Sequence, residues 1–330
     1  MDGCCCGSDG IINVPTELRF SDRVGALKVR LGIGRNNYRI PPGLYSAGSP
    51  SDSSPVLVSA NYKLTFDSLR KELGGLDCYM LILDTKGINV WCAAGKGTFG
   101  TEELVNRIDK TGLADVVSHR DLLLPQLGAP GICAHEVKKR SGFNVIFGPV
   151  RAADIKAFLA AGMEATEEMR TVKFTIRDRT VLTPMEFIPA MKLSLLVFGL
   201  LFLANLIASK PFGMDDVCIY MGAVVMGTVV TPILLPFVPV RAFSLKGWIL
   251  GACWTLYAAW SFGWLHDDIT AAAGYLFLLP SLSAFFAMNF TGASTYTSFS
   301  GVIKEMKMAV PAIIVTMIIG MILLFAGRVI

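Results

Sequence analysis

The second half of the sequence is a series of long apolar segments separated by short polar breaks. A membrane-spanning helix needs about 20 predominantly apolar residues. Five segments come close to that length, at 193–208, 217–238, 247–265, 271–290 and 309–326. Helices in the core of a soluble protein are rarely this long and apolar five times in succession. The pattern therefore predicts an all-α transmembrane domain of five helices over residues 181–330.

The first half alternates short apolar runs with amphipathic segments, which is typical of an α/β domain. Strands are predicted at 56–60, 79–84, 115–118 and 144–147, helices at 66–73, 102–110 and 134–140, and a further edge strand at 174–180. This alternation predicts a parallel, Rossmann-like sheet with helices on both faces over residues 55–180. Residues 1–54 are rich in Gly, Pro, Ser and Arg and are predicted to form an irregular N-terminal arm.

Four loops of the first half combine small residues with one or two polar ones, at 59–65, 88–97, 125–131 and 148–153. In parallel sheets, ligands bind at the carboxyl ends of the strands, in the loops that lead into helices. Small residues there let the backbone approach a ligand closely. The sequence contains neither GxGxxG nor GxxxxGK[ST], which removes the dinucleotide and phosphate-loop interpretations. A large, flat ligand is predicted instead.

Charged residues determine the predicted orientation. Lys and Arg are concentrated before the first span and in the second and fourth connections, whereas Asp dominates the first and third. Because Lys and Arg favour the cytoplasmic side, we expect a multi-pass inner-membrane protein with a cytoplasmic α/β domain and an external C-terminus. No secretory signal peptide is recognisable. Acidic and basic residues nearly balance in the first half, so nothing favours nucleic acid as a partner.

The predicted spans contain almost no ionisable residues, which favours a membrane anchor over a transport path. Pro232, Pro236 and Pro239 are predicted to kink the second span or to end it early.

Eight cysteines occur without a CxxC pair or zinc-finger spacing, so no intrinsic iron–sulfur or zinc site is predicted. Adjacent Cys4, Cys5 and Cys6 suit a soft metal such as Hg(II), and a plain or acylated tail is the alternative. Cys92 lies where a helix is predicted to begin after a strand. The N–H groups at a helix start favour a thiolate, the reactive and metal-binding form, and Lys96 adds a cation. A buried, inert cysteine is the alternative at this position.

The stretch NVWCAAGKGTFGT resembles the cap-helix motif of the corrinoid membrane protein of microbial mercury methylation, the HgcA family. The resemblance continues through VLVSANYKLTFDSLRKEL, HRDLLLPQLGAPGICAHEVKKRSGF and GPVRAADIKAFL. Those segments also look like the corrinoid-binding domain of the corrinoid iron–sulfur protein of the acetyl-CoA pathway. The cysteine in the cap and a bundle of five spans are the features that single out the mercury-methylating family.

The resemblance implies a cobalamin-type corrinoid over the strand ends, with Cys92 as the catalytic residue and the lower axial ligand of the cobalt. The cobalamin signature DxHxxG is absent, so no histidine is the expected ligand. Thr65 could equally cap a helix that begins at Phe66. The implied corrinoid contacts are Ser59, Thr65, Asn89, Val90, Trp91, Cys92, Ala93, Gly95, Lys96, Gly128, Ala129, Val150 and Ala152.

The activity implied by the resemblance is a corrinoid-dependent methyltransferase that forms methylmercury from inorganic Hg(II). A thiolate is a strong donor, and donation opposite the methyl group would favour its transfer to an electrophile. The family further implies a methyltetrahydrofolate-linked methyl donor and a low-potential ferredoxin with two [4Fe–4S] clusters as reductant. Two alternatives stay open: a methyl carrier for another acceptor in one-carbon metabolism, and a metal or corrinoid transporter with a cytoplasmic binding domain.

Overall fold

The computed structural model describes residues 10–263, 269–294 and 296–329. The chain divides into two compact units, one formed by residues up to Val29 together with Ile33–Val172, the other by Arg30–Gly32 together with the residues from Lys173 onward. The division therefore lies at Val172, a little before the predicted boundary at residue 180. The run Cys4–Cys6 and residues 266–268 lie outside the described residues.

The first unit, here called the α/β unit, is built on a six-stranded sheet of order β1-β2-β4-β3-β5-β6. The strands are β1 (Ile12–Asn13), β2 (Gly43–Ala47), β3 (Val56–Ala60), β4 (Cys78–Leu83), β5 (Asp121–Leu124) and β6 (Asn144–Phe147). Strands β3 to β6 are parallel, as predicted, but β2 runs antiparallel to β4. The sheet is therefore mixed rather than wholly parallel, because residues that were predicted to be irregular add two strands at one edge.

Eight helices connect or flank these strands. They are α1 (Phe20–Arg30), α2 (Lys63–Arg70), α3 (Val90–Lys96), α4 (Thr101–Thr111), α5 (Leu113–Val116), α6 (Ala134–Ser141), α7 (Ile155–Ala160) and α8 (Glu167–Arg170). The strand predicted at 115–118 is wrong, since α5 occupies its first two residues and the strand begins at Asp121. The edge strand predicted at 174–180 is also wrong: Thr175 and Asp178 form a capping box that starts a long helix.

Apolar residues cover both faces of the sheet, which fixes the strand ends in place. All residues of β3 and β4 are buried. One face packs against α3, α4 and α6, with Phe99 and Phe143 fully buried, and the other packs against α2 and α7, with Phe158 fully buried. A strand covered on both faces has a nearly continuous apolar sequence, which is why β3 is found at its predicted position.

A buried ion network joins α1 to α2. The carboxylate of Asp22, on α1, accepts hydrogen bonds from Lys63 Nζ at 2.7 Å and Arg70 Nη2 at 2.7 Å. Asp67 accepts from the same two side chains, at 2.6 Å from Lys63 and 2.8 Å from Arg70 Nε. Residues 10–54 are thus more regular than the predicted arm and are bonded into the α/β unit.

The second unit, here called the helical unit, consists of long apolar helices. They are α9 (Ile176–Ala204), α10 (Met214–Val225), which continues through a π-helical turn (Met226–Val230) into α11 (Thr231–Leu234), then α12 (Phe243–Ser261), α13 (Ile269–Asn289) and α14 (Phe299–Val329). Among the described residues, four helices are long and apolar enough to cross a membrane: Ile176–Ala204, Met214–Leu234, Ile269–Gly292 and Ser300–Arg328. The predicted count of five is not confirmed, because α12 carries three tryptophans and a lysine that lower its hydropathy. The second span ends before Pro236, as its prolines predict.

The helical unit contains a buried charged cluster that the sequence did not suggest. Asp216, at the start of α10, is 6% exposed and accepts a hydrogen bond from Arg328 Nη2, near the end of α14, at 2.6 Å. The hydroxyl of Tyr275, on α13, donates to the same carboxylate, and the Arg328 guanidinium lies 5.3 Å from the Phe212 ring centroid. These contacts bring the start of α10, the first part of α13 and the end of α14 to one end of the unit.

Candidate functional site

A cavity of about 310 Å³, here called the strand-end cavity, opens at the carboxyl ends of the parallel strands. Its walls come from the loops that follow β3, β4, β5 and β6, and from α2 and α7. The four loops singled out by their small residues therefore meet at one place, as the parallel topology requires. Most lining side chains are apolar, and the polar ones are Ser59, Thr65, Ser68 and Asn89.

Seven of the predicted contact residues line this cavity and six do not. Those that line it are Ser59, Thr65, Asn89, Val90, Trp91, Val150 and Ala152. Those outside its lining are Cys92, Ala93, Gly95, Lys96, Gly128 and Ala129. Thr65 is not a helix cap, because α2 already begins at Lys63 and Tyr62 is its N-cap. Its side chain is therefore available to the cavity.

Cys92 lies in the first turn of α3, directly after the cavity residue Trp91. The Asn89 side chain caps this short helix, its Oδ1 accepting from the Cys92 backbone N–H at 2.9 Å. Ala93 and Ala94 are buried beneath the helix, whereas Cys92 is partly exposed and Trp91 is 39% exposed. The thiol of Cys92 therefore lies on the partly exposed side of α3.

Cys78, in β4, shows what a buried cysteine looks like in the same unit. It is fully buried in the core, and burial, together with the nearby charge of Asp77, raises its pKa to about 12. Cys92 differs from it in exposure and in lying on a helix rather than in the sheet. Cys92 is therefore not buried as Cys78 is, and its role as a ligand stays a prediction.

Two glycines allow α3 to approach the turn of 3₁₀ helix at Gln126–Gly131. A Cβ on Gly128 would overlap the Phe99 ring, and a Cβ on Gly131 would overlap the Phe99 carbonyl oxygen and lie 3.2 Å from the Ala94 Cα. Phe99 is fully buried between these segments. Gly128 thus packs against Phe99, and the predicted contact of its backbone with a ligand stays a prediction.

Gly95 has the opposite surroundings, since a Cβ there would meet nothing within 4 Å. We expect Gly95→Ala to stabilise the α/β unit by up to about 1 kcal/mol, because alanine favours the helical backbone. Gly131→Ala should destabilise it by about 1–3 kcal/mol through overpacking. Urea unfolding of a fragment that ends at Val172 measures both, and equal effects of the two substitutions would contradict the assigned packing.

A buried asparagine, which the sequence reasoning missed, holds the loop that leads into α3. Asn61 is 2% exposed, and its Oδ1 accepts from the Thr85 N–H at 3.1 Å, the Thr85 hydroxyl at 2.9 Å and the Gly87 N–H at 3.0 Å. The Thr85 hydroxyl also lies 2.6 Å from the Ile88 carbonyl oxygen. A polar residue directly after an apolar strand was the available signal for this role.

The described histidines lie away from the strand-end cavity. His119 bonds at the opposite end of the sheet, with Nε2 2.9 Å from the Ser54 carbonyl oxygen and Nδ1 accepting from the Asp121 N–H at 3.2 Å. His135 is on α6 and does not line the cavity. Among the described residues, neither histidine lines the cavity, whereas the thiol of Cys92 directly follows the lining residue Trp91 in the sequence.

Most of the α/β unit is similar in sequence to segments of known proteins. Residues 34–159 match the CdhD family, CO dehydrogenase/acetyl-CoA synthase delta subunit. Similar proteins include the acetyl-CoA decarbonylase/synthase complex subunit gamma of Methanopyrus kandleri, 32% identical over 127 residues, which are 38% of this chain and 27% of the relative. The same subunit of Methanocaldococcus jannaschii is 32% identical over 38% of this chain and 26% of the relative.

The corrinoid/iron–sulfur protein large subunit of Moorella thermoacetica is 30% identical over 127 residues, which are 38% of this chain and 28% of that subunit. The chain thus spans about a quarter of the length of these relatives, 26–28%. The matched segment contains the strand-end cavity, α3 and Cys92. Residues 34–159 are therefore similar to a segment of these corrinoid/iron–sulfur and acetyl-CoA decarbonylase/synthase subunits.

Proposed function

We propose that this chain is a membrane-anchored, corrinoid-dependent methyl carrier that transfers a methyl group to inorganic Hg(II). The similarity of residues 34–159 to corrinoid/iron–sulfur proteins supports the carrier class. The observation that carries the finer proposal is the partly exposed thiol of Cys92 on the capped helix α3, next to the strand-end cavity.

The residues around the strand-end cavity fit a corrinoid. At about 310 Å³ the cavity lies at the lower end of the range of small-molecule sites and would take only part of a corrinoid. Its apolar walls with a few hydroxyl and amide groups suit a macrocycle with polar side groups. Ser59, Thr65 and Asn89 would offer hydrogen bonds to those groups, and Trp91 and Val150 would offer apolar contact. When bound, the corrinoid supplies a cobalt ion that carries the methyl group.

Cys92, one residue after Trp91 of the cavity lining, is the residue that would bind the metal. A thiolate donates more strongly than an imidazole, and axial-ligand identity is a main control on a metal cofactor. Strong donation favours methyl transfer to an electrophile, and Hg(II) is a soft electrophile. Asn89 fixes the first turn of α3, and Asn61 fixes the loop before it, so the thiol is positioned by two separate sets of hydrogen bonds.

A methyl carrier of this kind would need a reductant and a methyl donor. We propose a low-potential ferredoxin with two [4Fe–4S] clusters as the reductant and a methyltetrahydrofolate-linked protein as the donor. Both partners follow from the resemblance of the cap segment, 89–101, to the mercury-methylating family.

We further propose that α12 crosses the membrane, which makes five spans. If only α10, α13 and α14 crossed after α9, Asp216 and Arg328 would lie on opposite sides of the bilayer. They are 2.6 Å apart. Ser244, at the start of α12, also donates to Glu305 near the start of α14, with the backbone N at 2.6 Å. Both contacts fit five alternating helices.

In this arrangement, the starts of α9, α12 and α14 share one side of the membrane. That side carries Arg177, Arg241, Lys304 and Lys307, which makes it the cytoplasmic side by the distribution of Lys and Arg. The α/β unit immediately precedes α9 in the sequence. We therefore propose that it lies in the cytoplasm, where reductant is available.

Labelling of single cysteines tests this topology. In a chain with all eight native cysteines replaced by serine, a membrane-impermeant maleimide added to intact cells should label Lys210→Cys and leave Lys307→Cys unlabelled. Disruption of the cells should expose Lys307→Cys, which serves as the control for reactivity. The reverse pattern would place the α/β unit outside and contradict the mechanism.

Transfer by the purified protein tests the activity. The full chain in detergent, loaded with cobalamin and given a reduced ferredoxin and a methyl donor, should form methylmercury from Hg(II) with repeated turnover. The cobalamin-free protein is the control for chemical methylation by the other components. A yield that does not exceed this control would contradict the proposal.

A methyl carrier for another acceptor is the second candidate, since several relatives are subunits of acetyl-CoA decarbonylase/synthase complexes. The same assay with an acetyl-CoA synthase in place of Hg(II) distinguishes the two. Methyl transfer to that enzyme and none to Hg(II) would favour this candidate.

A further inference from the structure

The helical unit contains a second cavity, of about 1040 Å³, here called the basic cavity. It lies between the segment that follows α11, the start of α12 and the start of α14. These are the ends of the helices that share the cytoplasmic side in the proposed topology. The cavity has no part in the methyl transfer proposed above.

Four ionisable side chains line the basic cavity: Arg241, Lys246, Lys304 and Glu305. The carboxylate is already engaged, because Glu305 Oε1 accepts from the backbone N of Ser244 at 2.6 Å and from its hydroxyl at 2.8 Å. Glu305 thus binds the start of α12. The three cations of the lining outnumber this one carboxylate, so the cavity has an excess of positive charge.

Lys246 is buried and has a structural role at the back of the cavity. Its ammonium donates to the carbonyl oxygens of Leu235 at 2.5 Å and Val238 at 2.8 Å, which follow the end of α11. Carbonyl groups at a helix end favour a cation. The charge of Lys246 is only partly offset there, since carbonyl oxygens are dipoles and not anions.

Arg241 and Lys304 are exposed at the mouth of the cavity, and neither forms an ion pair with any residue that the structure describes. They come from two different segments, so they face one space from two sides. The start of the 31-residue helix α14 adds its own positive end, with the Ser298 hydroxyl accepting from the Gly301 N–H at 3.2 Å. The two cations and the positive helix end favour an anionic ligand at the opening of the cavity.

The rest of the lining includes the polar residues Ser244, Tyr296, Thr297 and Ser298. It also has an apolar part, which includes Leu235, Pro236, Val240 and Met308. A cavity with cations at one end and an apolar wall beside them suits an amphiphile better than a free anion. Basic pockets between transmembrane helices on the cytoplasmic side bind the headgroups of anionic lipids. Arg pairs well with phosphate through its planar fork, and Lys pairs with it as a point charge.

We propose that the basic cavity binds an anionic phospholipid, with the phosphate between Arg241 and Lys304 and an acyl chain along the apolar wall. The site is independent of the function of the α/β unit. A bound lipid would contact the starts of both α12 and α14 and would stabilise their packing.

Thermal unfolding of the full chain in an uncharged detergent tests this site. Dioleoylphosphatidylglycerol should raise the midpoint temperature and saturate, whereas dioleoylphosphatidylcholine and inorganic phosphate should not. The double variant Arg241→Gln/Lys304→Gln should weaken the apparent affinity for phosphatidylglycerol by about tenfold or more, because each cation near the surface contributes to lipid binding. Lys307→Gln, on the same helix but outside the cavity lining, should leave the affinity within about twofold.

Three outcomes would overturn the proposal. Equal stabilisation by the two lipids would remove the need for an anion, and full stabilisation by inorganic phosphate would make the site one for a free anion. An equal loss with Lys307→Gln would mean that the lipid responds only to overall charge. If the double variant does not fold, the single substitutions Arg241→Gln and Lys304→Gln are titrated in the same way, and a lack of effect in both would contradict the site.

Discussion

Replacement of Cys92 with alanine should abolish methyl transfer to Hg(II) and change the electronic absorption of bound cobalamin, while the protein stays folded. The side chain is partly exposed on α3, so its loss leaves no large cavity, and we expect the free energy of unfolding to change by no more than about 1 kcal/mol. The thiolate is proposed to be a ligand of the cobalt, so the spectrum should report its loss directly. Absorption spectra and methylmercury yield are measured on the same samples.

Cys133→Ala is the matched control for this experiment. Cys133 is an exposed thiol in the same unit, outside the lining of the strand-end cavity, so both readouts should stay at the wild-type level. Cys92→His should retain cobalamin binding but methylate poorly, because a neutral imidazole donates less than a thiolate. An unchanged spectrum in Cys92→Ala would contradict the ligand role, whatever the yield.

Arg70→Ala should destabilise the α/β unit by about 3–5 kcal/mol, the usual cost of removing one partner from a buried ion pair. Arg70 is 5% exposed and also donates through Nη1 to the Pro15 carbonyl at 2.6 Å and the Glu17 carbonyl at 3.0 Å. Its removal leaves Asp67, 3% exposed, and Asp22 with Lys63 as their remaining cation in this network. Urea unfolding of the fragment that ends at Val172 measures the effect.

The control is Arg140→Ala, which breaks an exposed pair with Glu102 and should cause no measurable change. The effect of Arg70→Ala should also depend on pH. Burial alone would raise the pKa of Asp22, but hydrogen bonds from Lys63, the Arg19 N–H and Arg70 hold it below the ordinary value of 3.8. The stability from Asp22 is thus present above pH 3.8 and lost as the pH falls through the lowered pKa. A difference between wild type and variant that stays constant well below that pH would contradict the network.

The strands that could be predicted are those whose residues are mostly apolar. VLVSA is fully buried and NVIF is partly buried, and both lie at their predicted positions because parallel strands covered by helices need such runs. GLYSA was not predicted as a strand, since its Gly and Ser are typical of loops and its burial depends on pairing with β4. Val116 and Val117 favoured a strand locally, but a glycine in the left-handed conformation, Gly112, turns the chain into α5 first.

The position of the cavity followed from topology, whereas the role of each loop residue did not. Parallel strands place the four loops at one edge of the sheet, so Ser59, Asn89 and Val150 could be expected to meet. Gly128 belongs to a loop of the same composition, yet it packs on Phe99, which lies on a different segment. Contacts of this kind depend on tertiary packing, which cannot be predicted from the composition of a loop.

The bond between Asp216 and Arg328 has a consequence for the way the helical unit is assembled during synthesis. The two residues are 112 positions apart, so at about 5–20 residues per second the aspartate waits on the order of 10 s for its arginine. Until then its carboxylate has the Gly213 N–H, at 2.7 Å, and later the Tyr275 hydroxyl. A carboxylate costs about 2.5–3.5 kcal/mol at the centre of a membrane helix and less near a helix end, where Asp216 lies. The earlier helices therefore reach their final, stable packing only after α14 has been inserted. Substitutions at Arg328 should lower the amount of assembled protein rather than the rate of methyl transfer per molecule.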